Sequence, residues 1–380
     1  MQVKEAFPNI AVLRKDFLFS PEDIDISYRA GADAVLLIAS IMDSGLLGTL
    51  YKKTKSLGME ALVEIHSHED IKKVKNLKPE LIGINSRDLL TFNVDLTIPI
   101  QVKNKIDWKT SLLFESGIHH QEDGLLAISS GFRGLLVGES VVKDPSLIKD
   151  LLAVFNLKRS NFWERLYQGQ KPFIKICGIT SEDDAYFVEK SGADILGFVF
   201  AQSKRMAKPA LLKELKNCNI LKVGVVTHPE GEKKLNAEVN ALLEDGLIDA
   251  IQLHGDESPE DCLSLGFPYY KALQIRNSND IQCMDTYKCP RILVDAYSET
   301  ERGGTGKNIQ DKLLYKIKES HPLWIAGGLG PDNIGYFIDR FSPEFIDASS
   351  RLEKYPGKKD HNLVSIYIKE ALKRKSLYGV

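Results

Sequence analysis

The chain has 380 residues, 43% of them hydrophobic and 27% charged, with a formal net charge of −2. That length suggests two domains, and the near-neutral balance, with no basic stripe interleaved with aromatics, argues against a nucleic-acid surface. No apolar run reaches the ~20 residues of a membrane span, and Glu5, Arg14, Lys15 and Asp16 interrupt any signal-peptide core.

Short β-rich runs alternate with helical stretches, the signature of βαβ units around parallel sheets. In the first half, six runs read as strands: 11–15, 33–39, 61–65, 81–85, 111–115 and 134–138. Residues 145–156 read as a last helix and 157–171 as a largely polar connector. This gives a first domain over 1–156 and a second over 172–380. In the second half, eight runs read as strands: 173–177, 194–200, 221–226, 250–254, 269–273, 292–295, 323–326 and 345–348. Amphipathic stretches such as 181–191 and 311–319 lie between them. Ser181, with Asp184 three residues on, predicts a helix N-cap and an acidic first turn. Gly192 suits the left-handed residue at that helix's end.

Eight units in about 205 residues match a (β/α)₈ barrel, and six in about 155 fall short of one. Six strands alone also fit an open doubly wound sheet. The charged strand end Arg14-Lys15-Asp16, however, reads as one wall of a barrel mouth. The expected class is α/β: two (β/α)₈-type (TIM) barrels in tandem, the first incomplete and the second complete.

Chemistry in such barrels occurs at the carboxyl ends of the strands. Cys177 and Asp295 end the first and sixth strands of the second half and make a candidate base and acid. The site should then lower the thiol pKa and raise that of the carboxyl. Lys175, on the same strand face as Cys177, could help with the thiol. The competing readings are a small buried thiol and a strand-end carboxylate paired with a cation. Gly327-Gly328 and Ser349-Ser350, after strands seven and eight, occupy the usual phosphate-loop positions, or are ordinary tight turns. Gly303-Gly304-Thr305-Gly306-Lys307 is not a nucleotide P-loop, since Glu301 and Asn308 break that pattern. It reads as a lid or a plain flexible loop. In the first half, Lys15 and Glu64 form a candidate acid–base pair. Ser116-Gly117 and Gly138-Glu139 form candidate phosphate loops, with an ion-paired polar layer as the alternative.

The five cysteines, Cys177, Cys218, Cys262, Cys283 and Cys289, include no Cys-x-x-Cys pair. Neither a disulfide framework nor a zinc site is expected, and a reducing cytoplasm fits best. No metal cluster or nucleotide fingerprint is visible, so the expectation is no cofactor and no metal. Oligomeric state is left open.

Six motifs in order, Lys175-Ile176-Cys177-Gly178-Ile179-Thr180, Gly197-Phe198-Val199-Phe200, Gln252-Leu253-His254-Gly255, Leu293-Val294-Asp295, Gly303 to Lys307 and Pro356-Gly357-Lys358-Lys359-Asp360, resemble phosphoribosylanthranilate isomerase. The resemblance covers roughly 172–376. It implies an Amadori rearrangement with Asp295 as acid and Cys177 as base. It also implies Arg205 near the anthranilate carboxylate, His254 lining the mouth, and Gly327, Gly328, Ser349 and Ser350 on phosphate. Arg351 follows the paired serines, where a glycine is usual nearby.

In the first half, Val12 to Phe17, Leu62 to His66, Gly83 to Leu89, Glu115 to Ile118 and Val137 to Ser140 resemble indole-3-glycerol phosphate synthase. This implies Lys15 as general acid and Glu64 as general base. Asn85, Arg87, Glu115 and Ser116 would shape the site, and Ser116, Gly117, Gly138 and Glu139 would bind phosphate. The match begins at that family's third strand, so a six-eighths barrel with impaired ring-closing activity is expected. The other readings are both activities once the missing strands are supplied, a barrel using Lys15 as a Schiff-base lysine, and a non-catalytic phosphate-binding remnant. Small phosphoribosyl and anthranilate compounds are the expected partners, without nucleic acid or membrane.

Overall fold

A computed structural model describes residues 2–157, 160–227, 235–262, 266–296 and 309–375. The chain divides into two compact units, Met1–Leu157 and Lys158–Val380.

In the first unit, six parallel strands pair in sequence order as an open sheet. They are β1 (Leu13–Arg14), β2 (Ala34–Ile38), β3 (Glu60–Ile65), β4 (Leu81–Asn85), β5 (Ser111–Glu115) and β6 (Gly134–Leu136). β1 and β6 are shorter than the apolar runs suggested, so Lys15 and Gly138 lie just beyond strand ends. The connecting helices carry sequence-coded starts. Ser20 and Asp23 form a reciprocal capping box before Pro21–Arg29. Asp43 accepts two backbone N–H bonds at the start of Ser44–Ser56. Each satisfies donors that a helix N-terminus otherwise leaves orphaned.

The second unit is a closed barrel of eight parallel strands. They are β7 (Phe173–Cys177), β8 (Ile195–Val199), β9 (Leu221–Val226), β10 (Ala250–Leu253), β11 (Tyr269–Ile275), β12 (Ile292–Ala296), β13 (Trp324–Ala326) and β14 (Phe345–Ala348). β14 returns to pair with β7, with Phe345 opposite Phe173. Helices cover the outside. Helix Ile334–Phe341 buries Ile334, Phe337, Ile338 and Phe341, an i, i+3, i+4, i+7 stripe. Burying each such side chain contributes about 1.5–3 kcal/mol. Ser181 caps helix Glu182–Ser191, and Gly192 ends it at φ 96°, as the sequence suggested.

Residues 157–171, read as a connector, include a short helix, Phe162–Leu166, with Phe162, Trp163 and Leu166 buried. Trp163 packs on Trp324, which stacks on Phe345 at 4.1 Å, so this helix plugs the amino-terminal end of the barrel. Beside the plug, Glu344 accepts from Trp324 Nε1 at 2.8 Å and Arg291 Nε at 2.7 Å, and pairs with Lys171 at 2.7 Å.

After β14 the chain forms an unanticipated antiparallel hairpin of β15 (Glu353–Tyr355) and β16 (Lys358–Lys359). Pro356 and Gly357 make its turn, with Gly357 at φ 86°, a conformation glycine adopts without steric cost.

Candidate active site

The carboxyl ends of the second unit's strands surround a cavity of about 510 Å³. Cys177 and Asp295 both line it, as do Arg205, His254, Gly327, Gly328, Ser349 and Ser350. The sequence-predicted residues of this half are therefore brought to one mouth. Residues 303–307, read as a lid, lie outside the described residues.

A buried polar network underlies the mouth. Lys175 Nζ, fully buried, donates to Asp347 Oδ2 at 2.6 Å and Gln252 Oε1 at 2.8 Å. Tyr270 also donates to Gln252 Oε1, at 3.0 Å. Gln252 Nε2 lies 3.1 Å from His254 Nδ1, and His254 Nε2 lies 3.3 Å from Asp295 Oδ2. Burial is the largest single influence and disfavours the Lys175 ammonium, but Asp347 together with the neighbouring Cys177 and Tyr270 outweighs it and holds the pKa above the usual lysine range.

Cys177 departs from the sequence expectation. Burial pushes its thiol above the usual cysteine value, and the Lys175 and Lys359 charges oppose this without reversing it. The physical reason is position. The residue is enclosed at the end of β7, where desolvation penalises a thiolate.

The opposite wall is built of loops. Gly327 and Gly328 adopt φ 84° and 64°. Ser349 Oγ donates to the Cys177 carbonyl at 3.0 Å, tying the loop after β14 to β7. Arg351 is not a free cation in this wall. It donates to the Gly328 carbonyl at 2.9 Å and to Asp332 at 2.7 and 2.8 Å, clamping the loops after β13 and β14 together. Arg205 Nε is held by both Glu353 oxygens at 3.1 and 3.0 Å. Lys359 bonds Glu353 at 2.9 Å. The unanticipated hairpin is thus what positions Arg205.

Sequence reasoning assigned no role to Gln252, Tyr270, Asp347, Glu353 or Lys359. Two of them carried a signal: Gln252 and Asp347 each lie two residues before a predicted mouth residue, on the same strand face.

The first unit gathers a second cluster. Lys15 Nζ lies 3.3 Å from Glu64 Oε2 and 3.8 Å from Glu115 Oε2. Asn85 Nδ2 donates to Glu64 Oε1 at 3.1 Å, and His66 Nε2, unassigned from sequence, stands 3.2 Å from that oxygen. Burial opposes ionisation of Glu64, but the polar groups of His66, Glu115, Lys15 and Asn85 beside it draw its pKa down to about 2. Burial and the neighbouring Glu64 charge push Glu115 up to about 9. The mutual repulsion of Glu64 and Glu115 in this buried setting disfavours two charges on the pair. Gly83 makes the room: a Cβ there would stand 1.6 Å from Glu115 Oε1. Ser116 and Gly117 turn the chain at φ 67° and 74°. Arg87 donates its backbone N–H to Asn85 Oδ1 at 3.0 Å. Gly138 precedes the short helix Glu139–Lys143, whose exposed Glu139 pairs with Lys143.

Asp183, Asp184 and His361 come together with spacing that could suit a metal. The Lys358 ammonium already lies 3.1 and 2.8 Å from the two carboxylates. Among the described residues no helix is long and apolar enough to cross a membrane.

A closed parallel barrel with titratable side chains at its carboxyl mouth and glycine and serine loops after its seventh and eighth strands defines a (β/α)₈ barrel. Over residues 174–370 the chain belongs to the N-(5'-phosphoribosyl)anthranilate (PRA) isomerase family. Residues 1–153 match the family model of indole-3-glycerol phosphate synthase, so two family models match the chain in succession. The chain is 32% identical over 399 residues to a multifunctional tryptophan biosynthesis protein of Schizosaccharomyces pombe, covering 94% of this chain and 50% of that protein. It therefore spans about half the length of that curated relative. It is 37% identical over 205 residues to an N-(5'-phosphoribosyl)anthranilate isomerase of Thermotoga petrophila, covering 52% of this chain and 97% of that one. Among solved structures, a phosphoribosyl anthranilate isomerase from Thermotoga maritima is 34% identical, covering 53% of this chain and 98% of that chain at TM-score 0.47.

Proposed function

We propose that the second unit catalyses the Amadori rearrangement of N-(5-phosphoribosyl)anthranilate to 1-(2-carboxyphenylamino)-1-deoxyribulose 5-phosphate. The observation carrying this is that Cys177 and Asp295 face one cavity whose far wall is the glycine and serine loops. Asp295 gives a proton to the ribose ring oxygen, the ring opens, and a Schiff base forms. The Cys177 thiolate then takes the C2′ proton, and the enolamine tautomerises to the ketone. The charge of buried Lys175 favours that thiolate against the cost of burial. Arg205 presents its planar fork to the anthranilate carboxylate. Backbone N–H groups of Gly327, Gly328, Ser349 and Ser350 take the phosphate. The test is loss of phosphoribosylanthranilate catalysed by wild type, Cys177→Ala and Asp295→Asn. Each substitution should lower kcat on the order of 10²–10⁴-fold, the range of a positioned acid or base. Turnover surviving both changes refutes the mechanism.

For the first unit we propose the chemistry of indole-3-glycerol phosphate synthase, ring closure with loss of carbon dioxide and water. Lys15 acts as acid and Glu64 as base, with Asn85, Arg87, Glu115 and Ser116 around the substrate. Ser116, Gly117, Gly138 and Glu139 contribute the phosphate loops. An open six-stranded sheet surrounds a substrate less completely than a closed barrel, so this chain alone should turn over weakly. Turnover matching that of eight-stranded synthases would refute this. Borohydride trapping of substrate on Lys15 would favour Schiff-base chemistry instead. The setting we propose is the cytoplasm, with small-molecule substrates, no cofactor, and neither nucleic acid nor membrane as partner.

A further inference from the structure

The hydrogen-bond order beneath the barrel mouth is decided by a group that can only donate. Lys175 Nζ lies 2.8 Å from one terminal atom of the Gln252 amide. An ammonium offers no acceptor, so that atom is the oxygen. Tyr270 donates to the same oxygen at 3.0 Å. Amide oxygen and nitrogen are ordinarily interchangeable by a flip. Here a flip would aim N–H groups at a buried ammonium. Gln252 Nε2 therefore faces His254 Nδ1 at 3.1 Å and donates to it. A ring nitrogen that accepts carries no proton, so neutral His254 keeps its proton on Nε2. That nitrogen lies 3.3 Å from Asp295 Oδ2.

We propose that Lys175 and Gln252 are positioning residues that hold His254 as its Nε2–H tautomer, so that this N–H faces the Asp295 carboxylate, 3.3 Å away, and is set to donate to it. The consequence for catalysis rests on the isomerase reading above. Once Asp295 has given its proton to the ring oxygen it is an anion, and a donor already facing it stabilises it with only a small approach. The other tautomer would set a lone pair against that anion and an N–H against the Gln252 amide hydrogens. Asp347, the second partner of Lys175, holds the ammonium in register for Gln252.

The test is a long-range ¹H–¹⁵N spectrum of the full chain carrying ¹⁵N-histidine, with His254 assigned by its loss in His254→Asn. At pH 7–8 the expected signature is a protonated Nε2 and a bare Nδ1. An Nδ1–H tautomer or an imidazolium overturns the proposal. This readout needs no turnover, so it is separate from failure of the isomerase reading. A carboxylate at 252 can only accept, so Gln252→Glu should protonate Nδ1. It should also lower kcat on the order of 10²-fold with KM within about threefold, as expected for a wrong tautomer. An unchanged His254 signal, or kcat within about twofold of wild type, overturns the proposal. If Gln252→Glu fails to fold, the wild-type spectrum alone decides.

Discussion

Gly197→Ala probes the packing around the Cys177 thiol. Gly197 lies on β8 directly opposite Cys177 on β7, and its carbonyl accepts the N–H groups of Gly178 and Ile179. A Cβ at 197 would stand 2.7 Å from Cys177 Sγ, 2.9 Å from Lys175 Cε and 3.0 Å from Cys177 Cα. Ordinary carbon contacts lie at about 3.5–4.0 Å, so the thiol must retreat by about 1 Å. The third of these atoms belongs to the backbone, so rotamer changes alone cannot relieve the crowding. Overpacking of this kind costs about 1–3 kcal/mol. In a unit of this size that lowers the melting temperature by about 2–12 °C. A reacting group displaced by about 1 Å costs on the order of 10²-fold in rate. The expected result is a lowered melting temperature by calorimetry and kcat for phosphoribosylanthranilate reduced by about that factor. A variant with wild-type kcat and melting temperature would refute the reasoning that this glycine exists to admit the thiol.

Two further predictions concern the ends of the same barrel. Burial opposes the Glu344 charge, but Arg291 and Lys171 draw its pKa from 4.5 down to about 2. A carboxyl depressed in the folded state contributes stability above its unfolded pKa and loses it as pH falls. Denaturation of this unit should therefore lose about 3 kcal/mol between pH 4.5 and 2, and Glu344→Gln should flatten that slope; an identical slope would count against it. Arg351→Ala releases the loop carrying Gly328 and Asp332 from the loop after β14. It should raise KM by about 3- to 10-fold with kcat little changed, as loss of a partly exposed charged hydrogen bond implies. A fall in kcat at constant KM would place Arg351 in the chemistry instead.

Much of this was legible in residues one at a time. The alternation of apolar runs located fourteen parallel strands, because each strand buries a continuous face. Cys177 and Asp295 could be placed at one mouth because strand ends of a parallel barrel share a face. Pairings between distant strands were not legible. Lys175 reads as a helper of Cys177 from its spacing, yet its bonds run to Gln252 and Asp347, 77 and 172 residues away. The thiol's raised pKa follows from enclosure, which no local pattern encodes. Arg351 gave no hint of its partners because its acceptors, Gly328 and Asp332, belong to another loop. The hairpin around Gly357 escaped because its strands are only three and two residues long.

The pairing of β14 with β7 sets the order in which this barrel can form. Each other seam joins strands that follow one another along the chain, whereas Phe345 must find Phe173 across nearly the whole unit. Closing so long a loop carries the largest chain-entropy cost of the eight seams. Contacts of such high sequence separation slow folding. The same seam brings Asp347 to Lys175. Until the last strand docks, the ammonium inside the forming barrel lacks that counter-charge. Closure of the ring and completion of the buried network are then one event, and a nascent barrel acquires a working mouth only when its final strand arrives.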